Sequence, residues 1–217
     1  SGGSPSQESM NTYTIKGFTE NIKKGELVKL QIEKIPQTPS GDNNSNNGND
    51  AESGNNGNSG NNGNGESVSN AYNTVLSELK SHIGSPYAYG GSGELVTNSS
   101  IQSLKNRFPD YSAAGKYDSL YKYVDSGLRM FDCSGFMQWG FSKANIRIGR
   151  TTYDQIKNGV EVSLDSVQPG DLLFYSNLGH VGMYIGNGQW IESPNSGKTI
   201  RIVDVPWSSI GRARRVL

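Results

Sequence analysis

Apolar residues recur at helical spacing over Val68, Tyr72, Val75, Leu76, Leu79 and Ile83, which predicts a helix with one apolar stripe. Ser67 is its expected front cap, and Gly84 ahead of Ser85-Pro86 its stop. Phe136, Met137, Gly140, Phe141 and Ala144 repeat the spacing behind Asp132, a good N-cap, so a second helix is expected to start at Cys133. Downstream the pattern shortens to strand-length apolar runs at Leu172 to Tyr175, Val181 to Ile185, Gln189 to Ser193, Thr199 to Val203 and Arg212 to Val216. Gly186-Asn187-Gly188 is the turn signal between the second and third of these, and places Met183 near Trp190 or Ile191. Thr152 and Gln155 read as the capping box of a short helix. These elements predict an α+β fold, a helix packed on an antiparallel sheet. Residues 92–130 intervene before the Cys133 helix. Ser99 to Leu104, and the spacing of Tyr117, Leu120, Tyr121 and Val124, predict helical turns within them.

The front of the chain reads differently. Within residues 1–38, Tyr13-Thr14-Ile15-Lys16-Gly17-Phe18 and Leu27-Val28-Lys29-Leu30-Gln31-Ile32 alternate about Lys24-Gly25, the pattern of a β-hairpin. A hairpin that small is marginal alone, so it is expected to belong to a larger anchoring domain or to a partner's sheet. Residues 39–66 are almost wholly Asn, Gly, Ser and Asp and read as a disordered linker, its ends roughly 30 Å apart by chain statistics. Residues 67–217 have the size of one domain.

Composition narrows the function classes. The 217 residues carry 20 Lys and Arg against 20 Asp and Glu, so charge gives no argument for nucleic-acid binding. Mean hydropathy is −0.61, and no run is long and apolar enough to suggest a membrane span. Neither a cofactor nor a metal is expected. The chain opens on Ser1-Gly2-Gly3 rather than methionine, so it reads as a fragment or as carrying a cloning scar, and a missing leader says nothing about export.

Cys133 is the only cysteine. A lone cysteine often just fills a core, but one at the start of a helix feels the positive end of the helix dipole, and with a nearby imidazolium it gains thiolate character. Of the two histidines, His82 falls in the last turn of its helix, where contact with terminal carbonyls and solvent is the expected role. His180 instead opens a strand, and the hairpin brings Glu192 to the same face. Cys133, His180 and Glu192 therefore form a candidate nucleophile, base and orienting carboxylate. A solvated glutamate at a strand end is the alternative for Glu192.

Five blocks in order carry a family likeness: Gly84-Ser85-Pro86-Tyr87-Ala88-Tyr89-Gly90-Gly91, Asp132-Cys133-Ser134-Gly135-Phe136, Arg150-Thr151-Thr152-Tyr153-Asp154-Gln155, Gln168-Pro169-Gly170-Asp171-Leu172-Leu173-Phe174, and the run His180 to Gly188. From Gly84 onward the chain resembles an NlpC/P60 cysteine peptidase. The resemblance implies a papain-like fold and cleavage of peptidoglycan stem peptides, typically between γ-D-glutamate and a diamino acid. By position it implies Cys133 as nucleophile, His180 as base and Glu192 as the third polar residue, accepting from imidazole Nδ1. It also implies that Tyr87 has its hydroxyl beside the thiol, and that Asp132 and Ser134 line the substrate cleft, with helix capping and packing as their alternative roles. Three departures stand out. The third residue is commonly histidine in the family, Tyr89 stands where tryptophan is usual, and residues 92–130 lengthen a connection that is often short. Further readings of the same residues are a wall amidase or acyltransferase, and a non-catalytic wall-binding module. The hairpin and linker in front suggest assembly into a phage tail or tail-like particle, with a secreted or surface autolysin as the other setting. The expected location is accordingly extracellular, at the cell wall or on a virion.

Overall fold

The computed structural model describes residues 62–217, with side chains from 65 onward; the expected hairpin, and the expected linker up to 61, lie outside the described residues. The first helix, α1 (Asn62–Ser81), buries Val75 and Leu79 completely. It starts before Ser67, the cap expected from the sequence. Once tertiary packing holds the apolar stripe, the exposed residues ahead of it can extend the hydrogen-bond ladder without a side-chain cap. Gly84, at φ +92°, then turns the chain away.

Next comes the segment whose helical turns the sequence predicted. Strand β1 (Ser92–Leu95) is followed by α2 (Asn98–Arg107), α3 (Pro109–Ala113), a 3₁₀ turn at Asp118–Tyr123 and β2 (Arg129–Phe131). Thr97 and Ser100 cap α2 reciprocally. Val96, Ile101, Leu104, Tyr117, Leu120 and Met130 form a core of their own beneath these turns. Its two ends are joined: β1 and β2 pair antiparallel, with Leu95 opposite Arg129.

The nucleophile helix is α4 (Cys133–Ser142), starting where the sequence predicts. It lies against α1 closely enough that a Cβ on Gly140 would strike Leu79. A short helix, α5 (Thr152–Gln155), leads to six strands: β3 (Val160–Val162), β4 (Leu172–Tyr175), β5 (Val181–Gly186), β6 (Gln189–Glu192), β7 (Arg201–Asp204) and β8 (Ile210–Arg215). They form one sheet in the order β3-β8-β4-β5-β6-β7, every neighbour antiparallel. One face packs Leu172, Phe174, Val181, Met183 and Ile191 on Phe136, Met137 and Phe141 of α4. The other buries Leu173, Trp190, Val162 and Ala213. Each fully buried Phe or Leu contributes about 1.5–3 kcal/mol relative to exposure, so the many residues shared between α4 and the sheet fix the helix firmly.

The β5–β6 turn has Asn187 and Gly188 both at positive φ, 53° and 72°, the backbone that suits the twist of a tight hairpin. It sets Met183 opposite Ile191. The capping box of α5 is Thr151 with Asp154, one residue ahead of the expected Thr152 and Gln155. Both of those are buried and bonded elsewhere, Thr152 Oγ1 donating to the Leu178 carbonyl at 2.6 Å and Gln155 Nε2 to the Ser134 carbonyl at 2.9 Å. Strand β7 starts two residues later than expected. Edge strand β3 was not expected, because Val160 and Glu161 are exposed and only Val162 is buried.

Candidate active site

Cys133 is set by what surrounds Asp132. This residue caps α4, its Oδ1 accepting from the Gly135 N–H at 2.7 Å. Arg150 grips the same carboxylate with both Nη atoms, each at 2.9 Å, and the Gly90 N–H reaches Oδ2 at 3.1 Å. Arg150 also donates to the Gly91 carbonyl, Ser92 Oγ and Ser134 Oγ. Three separate segments therefore lock the start of the helix. Gly135 is required there, since a Cβ would strike the Gly91 carbonyl oxygen. Asp132 and Ser134, expected to line the cleft, have their polar atoms engaged within the protein.

The thiol is only half-buried, yet protein atoms surround the sulfur closely. Burial pushes it up to about 11, and the adjacent Asp132 carboxylate adds to the rise. The N–H groups of Val181, Ser134 and Cys133 pull the other way without overcoming burial. The helix terminus alone therefore does not give the thiolate that its position in the sequence suggested. Val181, whose N–H acts on the thiol, is the residue that follows His180.

His180 is 6 % exposed and Glu192 4 %. His180 Nε2 lies 2.7 Å from Glu192 Oε1. The expectation was contact through Nδ1; the ring is turned so that Nε2 meets the carboxylate, and Nδ1 has no hydrogen-bond partner among the described residues. Glu192 is not a solvated strand end. Burial alone would raise its carboxyl, but the hydrogen bond and charge of His180, together with Arg201, outweigh it and hold the carboxyl below the usual range. Arg201 Nε donates to Glu192 Oε2 at 3.0 Å, from the position directly opposite on β7. Tyr175 and Trp190 wall the imidazole at 4.9 and 5.4 Å between ring centroids.

An open cleft of about 860 Å³ runs beside these groups, lined by Tyr87, His180, Glu192, Lys198 and Arg201 among others. Tyr87 is held by its N–H donating to the Lys198 carbonyl at 2.9 Å. Burial raises its phenol, and the nearby Cys133 and Asp132 add to the effect. The segment after β1 also reaches this side of the fold: Tyr111 of α3 stacks on Tyr89 with ring centroids 3.7 Å apart, and Tyr117 donates to the Tyr89 carbonyl. His82 departs from its expected solvent-facing role. Its Nε2 lies 3.0 Å from Glu78, which also accepts from Trp139 Nε1 at 2.7 Å, and the ring packs on Phe131. These contacts tie α1 to α4.

Two arginines escaped the sequence reading. Arg150 stands inside one of the quoted blocks, and an arginine held at fixed distance from an Asp-Cys pair was the available signal. Arg201 could have been found only through the strand register that sets it opposite Glu192. Among the described residues, no three His, Cys, Asp or Glu side chains converge as metal ligands.

The chain is 28% identical to the probable endopeptidase p60 of Listeria grayi over 138 residues, 62% of this chain and 20% of that protein; it thus spans about a fifth of that relative's length. Among solved structures it is similar to the peptidoglycan hydrolase RipB of Mycobacterium tuberculosis, 28% identical with TM-score 0.52, covering 70% of this chain and 67% of RipB. It is also similar to RipA, a resuscitation promoting factor interacting protein solved in forms mutated at a cysteine, a histidine and a glutamate. Those forms are 26–27% identical, with TM-scores 0.50–0.51, and cover 68% of this chain and 62–63% of RipA. The fold is the papain-like one of these domains. The family model described as NlpC/P60 matches residues 84–210, more than half of the chain, and the protein belongs to the NlpC/P60 family.

Proposed function

We propose that the protein is a cell-wall hydrolase that cleaves an amide bond in peptidoglycan stem peptides, between γ-D-glutamate and a diamino acid, with Cys133 as nucleophile, His180 as general base and acid, and Glu192 as the residue that orients it. One observation carries this reading: the buried His180–Glu192 pair at 2.7 Å, directly ahead of Val181, whose N–H lowers the Cys133 thiol. The relatives support it. One is named a probable endopeptidase and another a peptidoglycan hydrolase. The histidine and glutamate mutated in RipA are twelve positions apart, as His180 and Glu192 are.

With the thiol protonated at rest, attack and proton transfer go together. Sγ bonds to the carbonyl carbon as its proton passes to His180 Nδ1, and Glu192 stabilises the imidazolium. Backbone N–H groups at the start of α4 take the oxyanion. The imidazolium then gives its proton to the leaving amine, the C–N bond breaks, and a thioester remains. Water, deprotonated by His180, attacks that carbonyl; the C–S bond breaks, the acid leaves and the thiol recovers its proton. In this reading Tyr87 lies on the thiol's side of the cleft, while Asp132 and Ser134 shape this wall through Arg150.

Action on peptidoglycan sets the working location outside the cell membrane, at the wall. We further propose that residues 1–38 anchor the enzyme in a tail or surface assembly and that residues 39–66 tether it there. Mass spectrometry of fragments released from purified sacculi tests the reaction. The expected products carry a new diamino acid N-terminus and a free γ-carboxyl on D-glutamate, and are missing with Cys133→Ala. Release of intact stem peptides from the sugar would instead make it an amidase, and transfer to an added amine without hydrolysis an acyltransferase.

A further inference from the structure

We propose that Lys198 and the outer end of Arg201 form a carboxylate-binding subsite in the cleft, which takes a carboxylate carried by the stem peptide; the assignment rests on the hydrolase reading above. Arginine and carboxylate usually meet through two parallel hydrogen bonds. Here the contact is single, because Glu192 gives one oxygen to His180 and only the other to Arg201 Nε. Among the described residues, neither Nη atom of Arg201 has a hydrogen-bond partner, and the side chain is 41 % exposed at the cleft. An anion can therefore bind the Nη pair while Nε keeps hold of Glu192.

Lys198 supplies a second positive charge, in a cleft that Asp204 also lines. Arg201 is offset by Glu192, whereas the exposed Lys198 ammonium has no acidic partner among the described residues. Its backbone is pinned twice, its carbonyl accepting from Tyr87 and its N–H donating to the Asn195 carbonyl, so the side chain leaves from a fixed point beside the cleft. A cation pair of this kind, one member planar with paired donors and the other a point charge, suits a carboxylate better than a carboxamide, which offers one acceptor oxygen and no charge. Besides its C-terminal carboxylate, a stem peptide has two sources of the group: the α-carboxylate of γ-linked D-glutamate, and the side-chain carboxylate of a diamino acid that carries one; the subsite takes one of these two.

Calorimetric titration of the Cys133→Ala protein measures binding without turnover. The ligands are four synthetic stem peptides, all amidated at the C-terminus, with each of the two internal carboxylates free or amidated. Amidation at one of the two positions is expected to weaken binding about tenfold, the worth of one charge-assisted hydrogen bond, and that position names the source. Lys198→Met in the same background should cut the preference below twofold, Lys198→Arg should retain it, and added salt should reduce it. Tolerance of amidation at both positions overturns the subsite, as does a preference untouched by Lys198→Met. A preference in binding without cleavage by the unaltered protein upholds the subsite and removes the hydrolase reading. Cleavage without any preference does the reverse, and failure of all four peptides to bind overturns both.

Discussion

His180 and Glu192 face each other at 2.7 Å across neighbouring strands, both more than nine-tenths buried. The carboxylate is held below its ordinary range because, despite its burial, it meets an imidazole on one oxygen and a guanidinium on the other. Glu192→Gln keeps the shape and removes the charge that stabilises the imidazolium, so turnover should fall, by up to about 10⁴-fold, with little change in affinity. A rate profile for the glutamine variant unchanged in height and width would remove Glu192 from the mechanism.

The same pair predicts an acid limit to stability. A carboxyl lowered on folding stabilises above its ordinary value of 4.5 and loses that contribution as pH falls through the folded value. Denaturant melts between pH 7 and pH 3 should show a steeper decline for the unaltered protein than for Glu192→Gln. Parallel declines would mean that the pair adds nothing on folding.

Cys133 titrates in the opposite sense. Its thiol is near 11 when folded against 9.0 when free, so its contribution is present below pH 9 and lost as pH rises toward 11. Iodoacetamide labelling of the unbound protein should be slow at pH 6 and climb above pH 9. Fast labelling already at pH 6 would instead show a standing thiolate–imidazolium pair. Cys133→Ala should also lower release of amino groups from peptidoglycan by as much as about 10⁶-fold.

The two histidines should separate cleanly. His180→Ala should abolish hydrolysis. His82→Ala leaves the site intact but removes an aromatic contact with Phe131 and a partner of Glu78, at a cost of about 1–3 kcal/mol in stability. Loss of activity in a folded His82 variant would reverse these roles.

A protein cut to residues 62–217 should fold and keep its activity, since the site residues and the partners named for them lie between α1 and β8. Circular dichroism and hydrolysis of sacculi check it. A folded but inactive fragment would show that the N-terminal residues complete the site.

What the sequence disclosed and what it hid have different physical origins. The start of α4 at Cys133 was legible because a capping aspartate and an apolar stripe are local signals, and the β5–β6 hairpin because Asn187-Gly188 demands one turn. Proximity of Glu192 to His180 followed from that turn. Its identity as a buried partner did not, since a strand-end glutamate looks the same whether or not an arginine arrives from the next strand. Strand β3 carries only the short alternation Val160-Glu161-Val162, with Val162 alone buried, and so brief a run does not stand out. Arg150 joins residues far apart in the chain, and nothing local marks a guanidinium as bound to Asp132 rather than to water. The thiol's upward shift was hidden too, since helix position is local while burial depends on the whole fold.

The β1–β2 ribbon has a bearing on how such domains diversify. It brings the two ends of residues 92–130 side by side, with Leu95 opposite Arg129, and the turns between them rest on a core of their own. The excursion leaves and rejoins the main body at this stem, directly ahead of Asp132, and touches it again through Tyr111 and Tyr117 at Tyr89. Lengthening, trimming or exchanging what lies beyond the stem need not displace the cysteine. With its ends joined beside the helix that carries the cysteine, this stretch is where a lineage could retune what enters the cleft while inheriting the chemistry unchanged.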